Sequence, residues 1–370
     1  MNEFHGIIFA YSASPDLREL VKNRTAASLP FCGNYRLIDF SLSSLRNAGI
    51  IDAGIIMQRD YQSLLDHIGS GKPWDMSRRS GGIRMLPPFG LPEYHKGDYA
   101  GTMEALIAVS SYIKSIPQKY IVLLLGNCCA NLDLSTICYQ HTHTDCEITA
   151  ICANYQPDIP HHRFVVGADG YINQVLFDRM GYSDGIPSLE GYIINKDTLL
   201  RLMDRCRSQD LYRFHRDAIS IFLREGGKMI PYVHKTYARV IRTVDGYYAA
   251  NMDMLVPSNR ATLFPVGRPV RTRYPDGVST YYGPESETRK ALIADNCKIE
   301  GTVENSIIFS NVTVKKGAHI KNSIIMSGCE VEEGCDFNYV IADKDCSFSC
   351  DSTLTGSSKL PLVVPKATIL

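Results

Sequence analysis

The sequence predicts a doubly wound α/β domain followed by a parallel β-helix. Two observations carry this reading. Over residues 1–255, short apolar runs alternate with stretches of helical periodicity, the pattern of a mostly parallel sheet with helices on both faces. Nearer the C-terminus, apolar residues recur every 17 positions, at Val303, Ile320, Phe337 and Leu354. Within that repeat they step by six, as at Ile308, Val314 and Ile320, so each turn holds about three rungs and stacked turns share one apolar core.

In chain order, strands are expected at 7–10, 53–57, 120–125, 148–153 and 192–195, which carry no charged residue. Helices are expected at 37–48, 61–68, 102–114, 132–143 and 197–207, with the Thr102 hydroxyl as the N-cap of its helix. The stretch 264–277 is rich in Pro, Gly and Arg and breaks both periodicities. The expected organisation is an α/β domain over 1–255, a connector over 256–290 and a hexapeptide-type β-helix over 291–370. Asn305-Ser-Ile-Ile308 returns as Asn322-Ser-Ile-Ile325, and Gly317 as Gly334, both with the same period of 17. On a sheet of this kind ligands bind at the carboxyl ends of the strands, which puts the loops after Ala10, Met57 and Leu125 at the site.

Acidic and basic residues number 39 each, which argues against broad binding to nucleic acid or a membrane surface. No apolar run approaches the ~20 residues of a membrane-spanning helix. The start, Met-Asn-Glu-Phe-His, has neither a basic segment nor a long apolar one, so no export signal is expected. The 12 cysteines lack metal-ligand spacing and read as reduced, mostly buried thiols of a cytoplasmic protein. His161-His162 and His141-x-His143 read as surface-loop or helix-end residues, because adjacent histidines on a strand point apart and an i, i+2 pair shares no helical face. No metal site is expected.

The motif evidence lies in the first 40 residues. Gly6-Ile-Ile-Phe-Ala10 leads into Tyr11-Ser-Ala-Ser14, and then comes Arg24-Thr-Ala-Ala-Ser-Leu-Pro-Phe-Cys-Gly-Asn-Tyr-Arg-Leu-Ile-Asp-Phe40. Together with Asn47-Ala-Gly-Ile50, Gln58, Trp74-Asp75, Lys96-Gly-Asp-Tyr-Ala-Gly-Thr-Met-Glu-Ala105 and Tyr248-Ala-Ala-Asn-Met-Asp-Met254, these segments resemble sugar-phosphate nucleotidyltransferases, most closely glucose-1-phosphate adenylyltransferase. The resemblance covers nearly the whole chain. It implies a Rossmann-like nucleotidyltransferase domain and a left-handed β-helix, and it implies transfer of adenylate from ATP to glucose 1-phosphate with Mg²⁺.

The resemblance also identifies what is missing. The family's loop after the first strand is glycine-rich, whereas Tyr11-Ser-Ala-Ser14 has no glycine to give the φ > 0 geometry that lets a backbone cradle phosphate. The family's lysine falls at Ala26, the aspartate after its central strand at Asn127, and the aspartate of its late Trp-Arg-Asp motif at Val240. Its sugar-phosphate Glu-Lys-Pro has no counterpart near Phe177-Asp-Arg-Met180. Losing one preorganised electrostatic contact costs a factor of ~10²–10³ in rate. The expectation is therefore a regulatory subunit with little or no activity of its own, needing no metal and paired with a catalytic adenylyltransferase paralogue in a heterotetramer. An active enzyme that draws its Mg²⁺ ligand from Asp133 or Asp16 is the alternative. Ser12, Gln58, Gly101 and Thr102 are expected to be remnants of the nucleotide pocket. Arg36 and Arg46 are candidate contacts for a phosphorylated effector or an interface.

Overall fold

The computed structural model describes residues 1–11, 15–78, 81–88, 99–154, 161–177, 184–274 and 277–370. The apolar run near the start becomes the strand Phe4–Phe9, buried along its whole length. Both of its edges are paired in parallel, to Ala53–Ile56 on one side and Tyr120–Leu125 on the other. That position, covered above and below, is why these three strands read as continuous aliphatic runs. Ile83–Leu86 extends the parallel set beyond Ala53–Ile56. On the opposite side Ile186–Asn195 runs antiparallel to Tyr120–Leu125, and the sheet continues through Ile148–Ala153 to Met229–His234. Arg163–Val166 and Ile172–Leu176 complete the nine strands.

Two elements differ from expectation for local reasons. The strand foreseen at 192–195 is ten residues long, Ile186–Asn195. Pro187, Glu190 and Gly191 hide its first half, and the register shifts between Ser188 and Gly191 with Glu190 at φ 53°. The single helix foreseen at 102–114 is two, Thr102–Ala108 and Ser110–Ser115. The break falls at Val109-Ser110-Ser111, where a β-branched residue and two hydroxyl side chains weaken the helix.

The contacts resolve into two compact units, each discontinuous in sequence. One holds Met1–Ser12, Ile38–Val240 and Leu263–Arg271; the other holds Ala13–Leu37, Ile241–Thr262 and Thr272–Leu370. The second is built on a left-handed parallel β-helix of three sheets, five strands each. Its ladders join Val303 to Ile320, Ile320 to Phe337 and Phe337 to Leu354, so the 17-residue repeat is one turn of the coil. Asn305 and Asn322 turn corners at φ 46° and 49°, where asparagine tolerates the left-handed conformation. Their amides form a ladder: Asn305 Nδ2 donates to Asn322 Oδ1 at 2.7 Å, and Asn322 Nδ2 to Asn338 Oδ1 at 2.9 Å.

Within this unit the signature stretch is fastened to the coil. Arg24 donates to both carboxylate oxygens of Asp343, at 2.6 Å to Oδ1, with both side chains buried. Tyr247 donates its hydroxyl to the Pro30 carbonyl at 2.6 Å, and Cys32 N–H donates to Oδ1 of the fully buried Asn251 at 3.0 Å. Tyr248 donates to the Asn322 carbonyl at 2.7 Å. Beside the Arg24–Asp343 pair, burial and then the Arg36 and Arg24 guanidinium groups push Lys344 down to about 8.

Removing one partner of a buried ion pair strands the other charge. Asp343→Ala should therefore cost about 3–5 kcal/mol in urea unfolding, whereas the double change Arg24→Met/Asp343→Leu should cost clearly less. Lys344 disfavours its charged form in the fold, so its penalty is full below pH 8 and fades as pH rises toward the ordinary value of 10.5. Lys344→Met should raise the melting temperature at pH 7, with a gain that shrinks across that window.

Candidate nucleotide site

In a doubly wound sheet a ligand crevice opens at the carboxyl ends of two adjacent strands whose connections leave in opposite directions. Here that point lies between Phe4–Phe9 and Tyr120–Leu125. From the first strand the chain moves outward through Ala53–Ile56 and Ile83–Leu86, then returns to the other side. Backbone bonds continue the ladder past the strand ends: Ala10 N–H donates to the Ile56 carbonyl at 2.9 Å, and Gly126 N–H to the Phe9 carbonyl at 2.8 Å. The residues that leave these ends are Tyr11, Gln58 and Asn127.

The structure brings close together the two positions at which the resemblance places the family's aspartates. Cys128–Ala130 pairs antiparallel with Ala238–Val240, and the register sets Val240 opposite Cys128, one residue from Asn127. Both Asn127 and Val240 are buried. A neutral amide and an isopropyl group do not fit Mg²⁺, which binds charged oxygen. The nearby aspartate is committed elsewhere. Asp133 caps the helix Leu134–His143, accepting from Thr136 N–H at 3.2 Å, and it pairs with Arg268 at 3.1 Å. Asp16 lies exposed in the 3-10 turn Pro15–Val21 of the other unit. Ala26 also belongs to that unit, fully buried at the first residue of the turn Ala26–Ser28.

Ser12 lies outside the described residues. Tyr11, beside it, packs its ring 5.7 Å from that of Tyr99. Burial, then Tyr99 and Glu104, push its phenol well above the usual range, so it stays protonated. The hydroxyls of Tyr11 and Tyr99 and Nε2 of Gln58 are buried without a hydrogen-bond partner among the described residues. Unmet donors at the strand ends are what a pocket for a polar ligand retains.

Gly101 and Thr102 differ from expectation. Gly101, not Thr102, is the N-cap residue, and no side chain caps the helix. The orphan N–H groups go instead to the Tyr212 carbonyl, which accepts from Met103 at 2.9 Å and from Glu104 at 3.3 Å. The same carbonyl lies 2.3 Å from where a Cβ on Gly101 would stand, so only glycine permits this approach. Thr102 Oγ1 accepts from Phe214 N–H at 3.4 Å. Arg46 is engaged by Asp75, which also pairs with Arg78. Arg36 sits half-buried in the short strand Tyr35–Arg36 of the other unit.

His141 and His143 lie in the last turn of Leu134–His143, as expected, and His143 is exposed; the other three histidines of the two motifs are not surface residues. His141 is buried, with Nδ1 2.9 Å from Thr149 Oγ1 and Nε2 3.0 Å from Asn195 Oδ1. His161 is buried and His162 half-buried. They precede the strand Arg163–Val166 rather than lie in it, so alternation does not separate them, and both imidazoles come within 4 Å of Glu190 Oε1, at 3.8 and 3.9 Å. His215 joins the same carboxylate, at 3.2 Å. Positions 162, 190 and 215 lie too far apart for a spacing motif to reveal them.

Comparison with known proteins agrees with both halves of the chain. A nucleotidyl transferase family model matches residues 6–171, and a GlmU-like, C-terminal hexapeptide model matches residues 278–356. The chain is 31% identical over 370 residues to the glycogen biosynthesis protein GlgD of Bacillus subtilis (strain 168), covering 100% of this chain and 97% of that protein. It is 31% identical over 311 residues to the glucose-1-phosphate adenylyltransferase of Geobacillus stearothermophilus, covering 82% of this chain and 80% of the relative. The corresponding enzyme of Acetivibrio thermocellus is 29% identical over 322 residues, covering 86% and 75%.

The close approach at Gly101 gives a direct test. Gly101→Ala must push the Tyr212 carbonyl away and should cost roughly 1–3 kcal/mol in thermal or urea unfolding. Thr102→Val, which removes only a long hydrogen bond, should cost under about 1 kcal/mol.

Proposed function

This chain belongs to the glucose-1-phosphate adenylyltransferase family, and within it we propose that the chain is a regulatory member serving glycogen biosynthesis, with little or no catalysis of its own. The observation that carries the proposal is the ladder that sets Val240 opposite Cys128, the residue that follows Asn127. Adenylyl transfer requires a phosphate oxygen of the sugar phosphate to attack the α-phosphorus of ATP while pyrophosphate leaves. Charge builds on the leaving group, and it must be met by cations held in place beforehand. Asn127 and Val240 cannot recruit a divalent cation, and Ala26 supplies no ammonium group. Asp133 is held by Arg268 and its helix, which speaks against a rebuilt metal site.

What the site keeps is shape. Gln58 and the Gly101-Thr102 turn retain a base pocket in this reading, able to take ATP without reacting it. The chain acts by assembling with a catalytic paralogue, as a heterotetramer, and by binding one of the partner's two states more tightly than the other. A phosphorylated effector site would draw on Arg36. Lys344 is held down first by burial and then by the Arg36 and Arg24 guanidinium groups, so Arg36 has other cations close by. Arg46 contributes less in this scheme because Asp75 already holds it.

Assayed alone for ADP-glucose formation from ATP and glucose 1-phosphate, the purified chain should turn over at least ~10³-fold more slowly than the catalytic paralogue. Added to that paralogue, it should shift the effector concentration needed for half-maximal activation. Full turnover by the lone chain, abolished by Asp133→Asn, would establish the active-enzyme reading instead.

A further inference from the structure

We propose that His162, Glu190 and His215 form a binding site for one divalent transition-metal ion of the zinc type. This is independent of the regulatory reading, since no residue of it is shared with the nucleotide site. Glu190 is 6% exposed, and a buried carboxylate is costly unless it is paired or ligates a metal. It stands at the bulge of Ile186–Asn195 with φ 53°, a conformation that a non-glycine residue keeps only where its surroundings impose it. Ser188 Oγ accepts the Glu190 N–H at 2.8 Å and holds the bulge.

Three imidazoles converge on that carboxylate. His215 comes from the π-helical turn Phe214–Ala218, a rare distortion that is frequent at functional sites. Its Nε2 stands 3.2 Å from Glu190 Oε2, yet it is buried and has no hydrogen-bond partner among the described residues. Its Nδ1 lies 2.6 Å from the hydroxyl of buried Tyr192. With Nδ1–H donating to the phenol oxygen, Nε2 presents a lone pair toward the carboxylate, the arrangement by which an outer partner orients a metal-binding histidine. His162 Nε2 lies 3.9 Å from Glu190 Oε1, and its ring centroid is 4.8 Å from that of His215. The three ligand atoms lie within 4.8 Å of one another. Tetrahedral zinc bonds of about 2.0–2.2 Å place ligand atoms roughly 3.3–3.5 Å apart, so a small inward movement closes the set. His161, 3.8 Å from Oε1 and bonded to the Ser188 carbonyl, completes the surround.

Two imidazoles and one carboxylate favour zinc, cobalt or nickel over magnesium or calcium. Three protein ligands leave a fourth position for water or another small ligand. The ion would tie together the segment before Arg163–Val166, the bulge and the π turn.

The test uses the full chain, stripped of metal and titrated with Co²⁺. The expected result is one equivalent bound, with a visible spectrum free of the thiolate charge-transfer absorption that any of the cysteines would give. Glu190→Gln and His215→Gln should each weaken binding at least ~100-fold, since even outer partners of a metal ligand cost 10–100-fold. Zinc-edge anomalous scattering from crystals of the wild-type protein soaked in Zn²⁺ should place the ion between these three residues, a readout that stands even where a variant fails to fold. Absence of stoichiometric binding would overturn the proposal and leave His215 as a close neighbour of Glu190. So would a thiolate spectrum, an ion placed elsewhere, or affinity unchanged in both folded variants.

Discussion

A guanidinium group sealed from water must meet a carboxylate, and in this protein that requirement fastens the signature stretch to the β-helix. Arg24 and Asp343 lie 319 residues apart and are buried together. Around them, Tyr247 and Asn251 hold the backbone at Pro30 and Cys32, and Tyr248 reaches the Asn322 carbonyl on the coil. The segment 13–37 therefore belongs with residues more than 200 positions away, rather than with the strand that precedes it. The stretch is held by packing and charge pairing inside its own unit.

The other unit shows a complementary economy. Its sheet has a switch point: the central strands are parallel and their connections depart on opposite sides. The groups near their carboxyl ends include the Asn127 amide, the Val240 isopropyl group and the two half-buried phenols of Tyr11 and Tyr99. Main-chain contacts such as those of the Tyr212 carbonyl at Gly101 are geometric and do not depend on the charge of the side chains around them. Electrostatic contacts do depend on it, because a carboxylate without its cation only costs desolvation.

Much of this was legible in the residues themselves. The 17-residue repeat is one turn of the coil, because a parallel β-helix forces stacked residues to be alike. The uncharged strands buried on both faces were equally plain. Less legible were elements whose reason lies outside their own sequence. The first half of Ile186–Asn195 carries Pro, Glu and Gly and belongs to the sheet only through its neighbours. The cap at Gly101 depends on a carbonyl more than a hundred residues away. His141 and His161 are buried against Asn195 and the Ser188 carbonyl, partners that lie far along the chain.

By itself, then, the sequence determined the fold class, the repeat and the uncharged character of Ala26, Asn127 and Val240, since residue type and period are local properties. The tertiary structure alone decided which of those positions adjoin, what Asp133 is used for, and that His162, Glu190 and His215 share one buried point. Those are distances between segments, set by strand register, a bulge and a π turn, and spacing along the chain does not encode them.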